Sequence, residues 1–221
     1  MKLFLQAITK YILGVILVGA LIFVPAGTFA YFNGWLFMGL LFIPMFIAGI
    51  VMMIKNPSLL KSRLDAKEKE QEQKDVVRLS GLMFLVGFII AGLNYRFDLT
   101  HLPKCIIIIS SIIFIISYII YAEVLRENTF LSRTIGVKKN QQIIDTGLYG
   151  IVRHPMYLAT LFLFLTMPLI LDSQISFIVF LAYPFIINKR INNEEEILEK
   201  ELKGYKEYQK KVKYKLIPFI Y

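Results

Sequence analysis

"GLYGIVRHPMYLATLFLFLTMPLIL", residues 147–171, sets Arg153 and His154 directly in front of an uncharged run from Pro155 to Leu171. A run of that length is one bilayer crossing or slightly less. Pro155 suits the first position of a helix, where its missing N–H costs nothing. The stretch therefore reads as a short membrane helix with a polar mouth. Five more uncharged runs occur, at 11–32, 34–54, 79–95, 105–122 and 173–188. Six crossings in 221 residues leave no room for a separate soluble domain. The fold class that follows is all-α, a polytopic integral membrane bundle of about six transmembrane helices. The first run is too long for a signal-peptide core and reads as a retained helix.

The net charge is +9, and its distribution assigns it to topology. With six crossings, 23 of the 25 Lys and Arg residues fall on one side, and only Arg96 and Lys104 on the other. The positive-inside rule then places both termini in the cytoplasm. Membrane lipids, anionic ones included, are the expected partners of this basicity, and nucleic acid is not. Cys105 is the single cysteine, so no intrachain disulfide forms, and it reads as inert packing. The two histidines, His101 and His154, fall on opposite sides, so no metal site is expected. Nucleotide loops of the GxGxxG or GxxxxGK[ST] kind are absent. A channel is disfavoured because the crossings lack internal charge except near Glu123.

Asn33-Gly34 predicts the turn of a first hairpin. The charged stretch 55–78 predicts a solvated helix or loop, and 96–104 closes a second hairpin. The loop 126–150 is long for so compact a chain and predicts a lid. Pro168 and Pro184 predict kinks in the last hairpin, whose helices are short enough to be partly re-entrant. Beyond it, Ile191, Leu198, Leu202, Tyr205 and Val212 recur at helical spacing. They predict one amphipathic cytoplasmic C-terminal helix. Glu194 and Glu195 fall on its apolar stripe, Glu196 and Glu199 on other faces, and Glu201 at the edge.

The last hairpin returns the chain to the depth of Arg153 and His154 at Lys189, Arg190, Glu194 and Glu195. A topological anchor needs no such convergence, whereas a ligand site does. Carboxylates on a buried face need compensating partners. The N-terminus of the 155–171 helix favours an anionic group, and Tyr149 and Tyr157 add aromatic faces and hydroxyls. S-adenosylmethionine carries the matching groups, as do many other zwitterionic ligands.

At these residues the chain resembles the isoprenylcysteine carboxyl methyltransferase family of integral membrane methyltransferases. The resemblance rests on "GLYGIVRHPMYLA", "MP" (167–168), "RINNEEEIL" and the tail "GYKEYQKKVKYKLIPFI", over roughly 120–221. It implies a cytoplasmic S-adenosylmethionine pocket lined by Tyr149, His154, Pro155 and Tyr157, with Glu194 and Glu195 holding the cofactor's polar groups. Arg190 is the candidate for steering an acceptor carboxylate, and Arg153 for fixing the loop or binding the cofactor carboxylate. The implied reaction is carboxyl O-methylation of a lipid-like or prenylated acceptor that arrives from the bilayer. Residues 1–125 would form the acceptor-facing half and 126–221 the cofactor half. Phospholipid N-methyltransferases share the RHP…EE pattern, and sterol-type reductases with a nicotinamide cofactor resemble the same fold. Both stay open as alternatives.

Overall fold

The computed structural model describes residues 2–64, 71–131, 136–137 and 140–221. Among them the regular structure is helical: α1 (Lys2–Ala26), α2 (Phe32–Lys55), α3 (Pro57–Leu64), α4 (Gln71–Phe97), α5 (Lys104–Glu127), α6 (Pro155–Ile170), α7 (Gln174–Phe180), α8 (Tyr183–Glu201) and α9 (Tyr205–Lys211). A single 3-10 turn spans Gly147–Gly150. Four helices, together with the α7–α8 pair, give five spans long and apolar enough to cross a membrane. The sixth, α6, has 16 residues, about 24 Å at 1.5 Å per residue. It is shorter than a hydrocarbon core of about 30 Å. The chain is a polytopic helical membrane bundle. Successive spans alternate in direction: Lys10 meets Leu64, Arg63 meets Tyr121 and Arg153 meets Glu195 at one end, which carries the termini, while Tyr31 meets Leu171 at the other.

Helix α6 packs mainly against α5, α1 against α4, and α4 against α7 and α8. The shared core mixes aliphatic and aromatic side chains, with Phe37, Phe88, Phe114 and Phe180 among those buried. At the end away from the termini, Asp172 ties the loops together. One carboxylate oxygen accepts from the Leu102 N–H at 2.6 Å, and the other lies 3.2 Å from His101 Nδ1. Buried Asn94 donates to the carbonyls of Thr100 and Asp172, and the Tyr31 hydroxyl donates to the Leu171 carbonyl.

Several expectations are corrected by this packing. The first hairpin turns at Gly27–Tyr31, and Asn33-Gly34 already lies inside α2. Gly34 is there for space: a Cβ would sit 3.0 Å from both the Phe23 and Tyr31 rings. The stretch 55–78 is helical where described, but it is not simply solvated. Asn56 caps α3 by accepting from the Leu59 N–H, while Leu59, Leu60, Gln73 and Val76 are buried. Cys105 is exposed on the first turn of α5 rather than packed. Pro184 does not kink a continuous helix. The helix breaks at Leu181–Ala182 and Pro184 sits in the first turn of α8, where proline is tolerated. Pro168 lies inside α6 as expected.

The C-terminal amphipathic helix is two helices. α8 runs unbroken from the bundle to Glu201, then Leu202–Gly204 turn the chain before α9. Gly204 adopts φ +87°, a left-handed conformation that glycine takes without strain. The burial read from the stripe holds across the break, because Ile191, Tyr205 and Val212 are all buried.

Candidate active site

Helices α6 and α8 meet the loop 141–150 and α9 at the end that carries the termini. The 147–150 turn is held from three sides. Tyr208 donates its hydroxyl to the Tyr149 carbonyl at 2.7 Å, Asn128 donates to the Tyr149 hydroxyl at 3.1 Å, and Thr146 donates to Glu127 at 2.8 Å. Lys211 adds a 2.6 Å ion pair to Asp145 and holds that carboxyl below its usual range. The part of the expected lid next to the turn is therefore anchored. Lys138-Lys139, within the expected lid, lies outside the described residues.

Arg153 and His154 follow, outside any helix, and pair with the C-terminal tail. Their N–H groups donate to the carbonyls of Tyr214 and Lys215 at 3.0 and 2.9 Å. Arg153 Nη1 donates to the carbonyls of Val212 and Lys213 at 2.8 and 2.9 Å. Its other nitrogens reach Glu195, with Nε at 2.6 Å and Nη2 at 3.4 Å. His154 Nε2 lies 3.1 Å from the same carboxylate and Lys215 Nζ 3.3 Å. Glu195 thus sits at the centre of three basic side chains, with only 7% of its side chain exposed. A buried carboxylate persists only when so compensated. Pro155 is the first residue of α6 behind this cluster, fully buried.

Glu194, one residue earlier on α8, points another way. It accepts from the Tyr157 hydroxyl at 2.5 Å, and that phenol oxygen accepts from Arg190 Nε at 2.9 Å. The Arg190 guanidinium also lies over the Tyr157 ring, 5.8 Å from its centroid, and the His154 ring stacks on Tyr157 at 5.6 Å. Glu194 is half-buried, whereas Glu196, Glu199 and Glu201 are exposed. The separation expected from the apolar stripe is the one observed.

These groups border a cavity of about 100 Å³. Of the residues singled out in the sequence, Tyr149, Arg153, His154, Tyr157, Arg190 and Glu194 line it. Pro155 and Glu195 sit behind its wall. The structure adds Asn128, Gln141, Leu198, Leu202, Tyr205 and Tyr208 to the lining. Tyr205 stands out, because it is 4% exposed and its hydroxyl has no hydrogen-bond partner among the described residues. Burial, with Glu195 and Glu194 nearby, pushes that phenol above its ordinary range, so it remains a donor. Tyr205 and Tyr208 are spaced three apart on a basic amphipathic segment. In the sequence they cannot be told from interfacial anchors.

Residues 105–200 match the model of the Isoprenylcysteine carboxyl methyltransferase (ICMT) family. The similarity covers less than half of the chain. The matched segment runs from the first turn of α5 to the last turn of α8 and contains all eight side chains singled out in the sequence, while Tyr205 and Tyr208 follow it. A curated relative, the Delta(14)-sterol reductase TM7SF2 of Mus musculus, is 30% identical over 91 residues. The match covers 40% of this chain and 22% of that protein, so the chain spans about a fifth of the relative's length.

Proposed function

We propose that this chain is a membrane-embedded methyltransferase that uses S-adenosylmethionine to methylate the carboxyl group of an isoprenoid- or lipid-like acceptor. The observation that carries the reading is the Arg190–Tyr157–Glu194 chain facing the unpartnered Tyr205 hydroxyl across one cavity, inside or beside the family segment. The donor set suits the cofactor. Glu194 attracts a cation, Tyr149 and Tyr157 offer aromatic faces, and Tyr205 has a hydrogen bond to give. When bound, the cofactor supplies an activated methyl group, and a carboxylate acceptor needs no deprotonation. The protein's part is then orientation and exclusion of water, effects worth several kcal/mol.

The residue roles divide by geometry. Arg190 steers the acceptor's carboxylate, and Glu194 holds a polar group of the cofactor through its charge. Arg153, His154 and Glu195 position the wall by pinning the tail to the start of α6. Pro155 fixes where that helix begins. Residues 126–221 act as the cofactor half and 1–125 as the acceptor-facing half, with the site on the cytoplasmic side. At about 100 Å³ the cavity is smaller than the roughly 300 Å³ at which ligand pockets begin. Binding therefore moves the wall at 141–144 outward.

The test is to incubate the purified protein with methyl-labelled cofactor and total membrane lipid. Label released by base as methanol reports a methyl ester and supports carboxyl methylation, and base-stable label in a phospholipid assigns N-methylation instead. The identity to a sterol reductase favours a second reading, reduction with a nicotinamide cofactor. Calorimetric titration with S-adenosylhomocysteine and with NADPH separates the two, and binding of NADPH alone would replace methyl transfer.

A further inference from the structure

The tail that pins Arg153 and His154 continues into a tight turn. The Ile220 and Tyr221 N–H groups donate to the Ile217 carbonyl at 3.1 and 3.0 Å. In return, the Tyr221 carbonyl accepts from the Leu216 and Ile217 N–H groups at 2.8 and 2.9 Å. Pro218 and Phe219 are the central residues of the turn, and Phe219 adopts φ +65°. Glycine or asparagine is the ordinary occupant of that conformation after a turn proline. A bulky residue there carries backbone strain, and such strain clusters where it has a role. What the turn achieves is display: Phe219 is 86% and Ile220 79% exposed.

The position of the turn is fixed by α8. The Tyr221 hydroxyl donates to Asn188 Oδ1 at 2.5 Å. Asn188 ends the uncharged run 173–188, and Lys189 opens the charged part of the helix. Phe185 lies one turn before Asn188 on the same face, and it is 79% exposed within the α7–α8 span. A bare phenylalanine on a membrane span faces hydrocarbon. Phe219 and Ile220 are therefore held where the lipid-facing side of α8 meets the headgroups.

We propose that Phe219 and Ile220 form an interfacial anchor, inserted into the bilayer at the boundary between headgroups and acyl chains. Apolar side chains bind at that boundary by leaving water. The occupant is lipid because the displayed surface continues the lipid-facing side of α8. The anchor also bears on the active-site wall. The carbonyls of Tyr214 and Lys215 accept from the N–H groups of Arg153 and His154, and the Tyr214 ring meets Phe219 at 5.3 Å. Bilayer contact at the turn thus holds that wall in place, whichever reaction the site performs.

The full chain in phosphatidylcholine nanodiscs tests both parts. Trp35 is the one tryptophan of the chain, so Phe219→Trp in a Trp35→Phe background reports from the turn alone. Its emission should be lost when the lipid is brominated on its acyl chains. Quenching by aqueous iodide alone, or by neither agent, would overturn the anchor. Asparagine suits the left-handed position, so Phe219→Asn with Ile220→Ser removes the apolar groups without straining the turn. Hydrogen exchange read by mass spectrometry should then run about tenfold faster at the Arg153 and His154 amides. Phe219→Trp with Ile220→Leu should exchange like the parent. Equal exchange in the polar and apolar variants would sink the coupling to the wall.

Discussion

Each end of the bundle is organised by one carboxylate that gathers a histidine, and the two are built differently. Glu195 holds Arg153, His154 and Lys215 inside the protein, its side chain 7% exposed. Asp172 holds His101 and the Leu102 N–H at the surface, with its side chain 21% exposed and that of His101 59% exposed. A charge inside protein must be matched by partners, and losing one leaves an uncompensated ion. A charge at the surface is matched by water as well. The same residue types therefore carry unequal weight at the two ends.

The largest effect expected is at Glu195. Glu195→Gln leaves Arg153 buried without its counter-charge and should cost about 3–5 kcal/mol. Thermal unfolding in detergent would show it, and a variant as stable as the parent would remove the buried cluster from the account. Arg153→Met with Glu195→Leu should cost less than either single change, because neither charge is then stranded.

Next comes Glu194, which sharpens the contrast within one helix. Glu194→Gln should weaken S-adenosylhomocysteine binding about ten- to a hundredfold, the worth of a charge-assisted hydrogen bond of roughly 1.5–3 kcal/mol. Its unfolding temperature should barely move. Glu196→Gln and Glu199→Gln, both exposed, should titrate like the parent. Equal affinities in all four proteins would take Glu194 out of the site. Tyr205→Phe removes only the unpartnered hydroxyl. It should lower affinity by about tenfold with stability unchanged, since no protein bond is lost.

At the opposite end, Asp172→Asn should cost about 1 kcal/mol and leave ligand binding untouched. A drop in affinity equal to that of Glu194→Gln would show that the two ends are coupled. The smallest effect is the pH dependence of His101. Its hydrogen bonds to Asp172 and Asp98 raise its pKa above the ordinary 6.5. The sign follows from linkage: the contribution is complete below 6.5 and is lost as pH rises through the higher folded value. The unfolding temperature of the parent relative to His101→Gln, followed upward from about pH 5, should show a small advantage that fades. An advantage that grows with pH would contradict it.

How much of this is visible in the sequence depends on whether a residue's partner lies near it in the chain. The membrane helices follow from uncharged runs, because hydrocarbon admits little else. The burial of Glu194 and Glu195 follows from their place on an apolar stripe. The start of α6 follows from Pro155. The turn at Gly27–Tyr31 is different, since Asn33-Gly34 carries the stronger local signal and loses to the close approach of Phe23 and Tyr31. Likewise, Gly204 and Leu202 end a periodic stripe that by itself continues to Val212.

By itself the sequence determined the helical membrane class, the shared end of both termini and the residues that gather there, because each depends on hydropathy, charge and spacing along the chain. Only the tertiary structure separated two adjacent carboxylates. Glu195 is enclosed by Arg153, His154 and Lys215 from α6's threshold and the tail, while Glu194 meets Tyr157 and the cavity. Neighbours on a helix are about 100° apart, so they face different surroundings, and what fills each direction comes from segments tens of residues away.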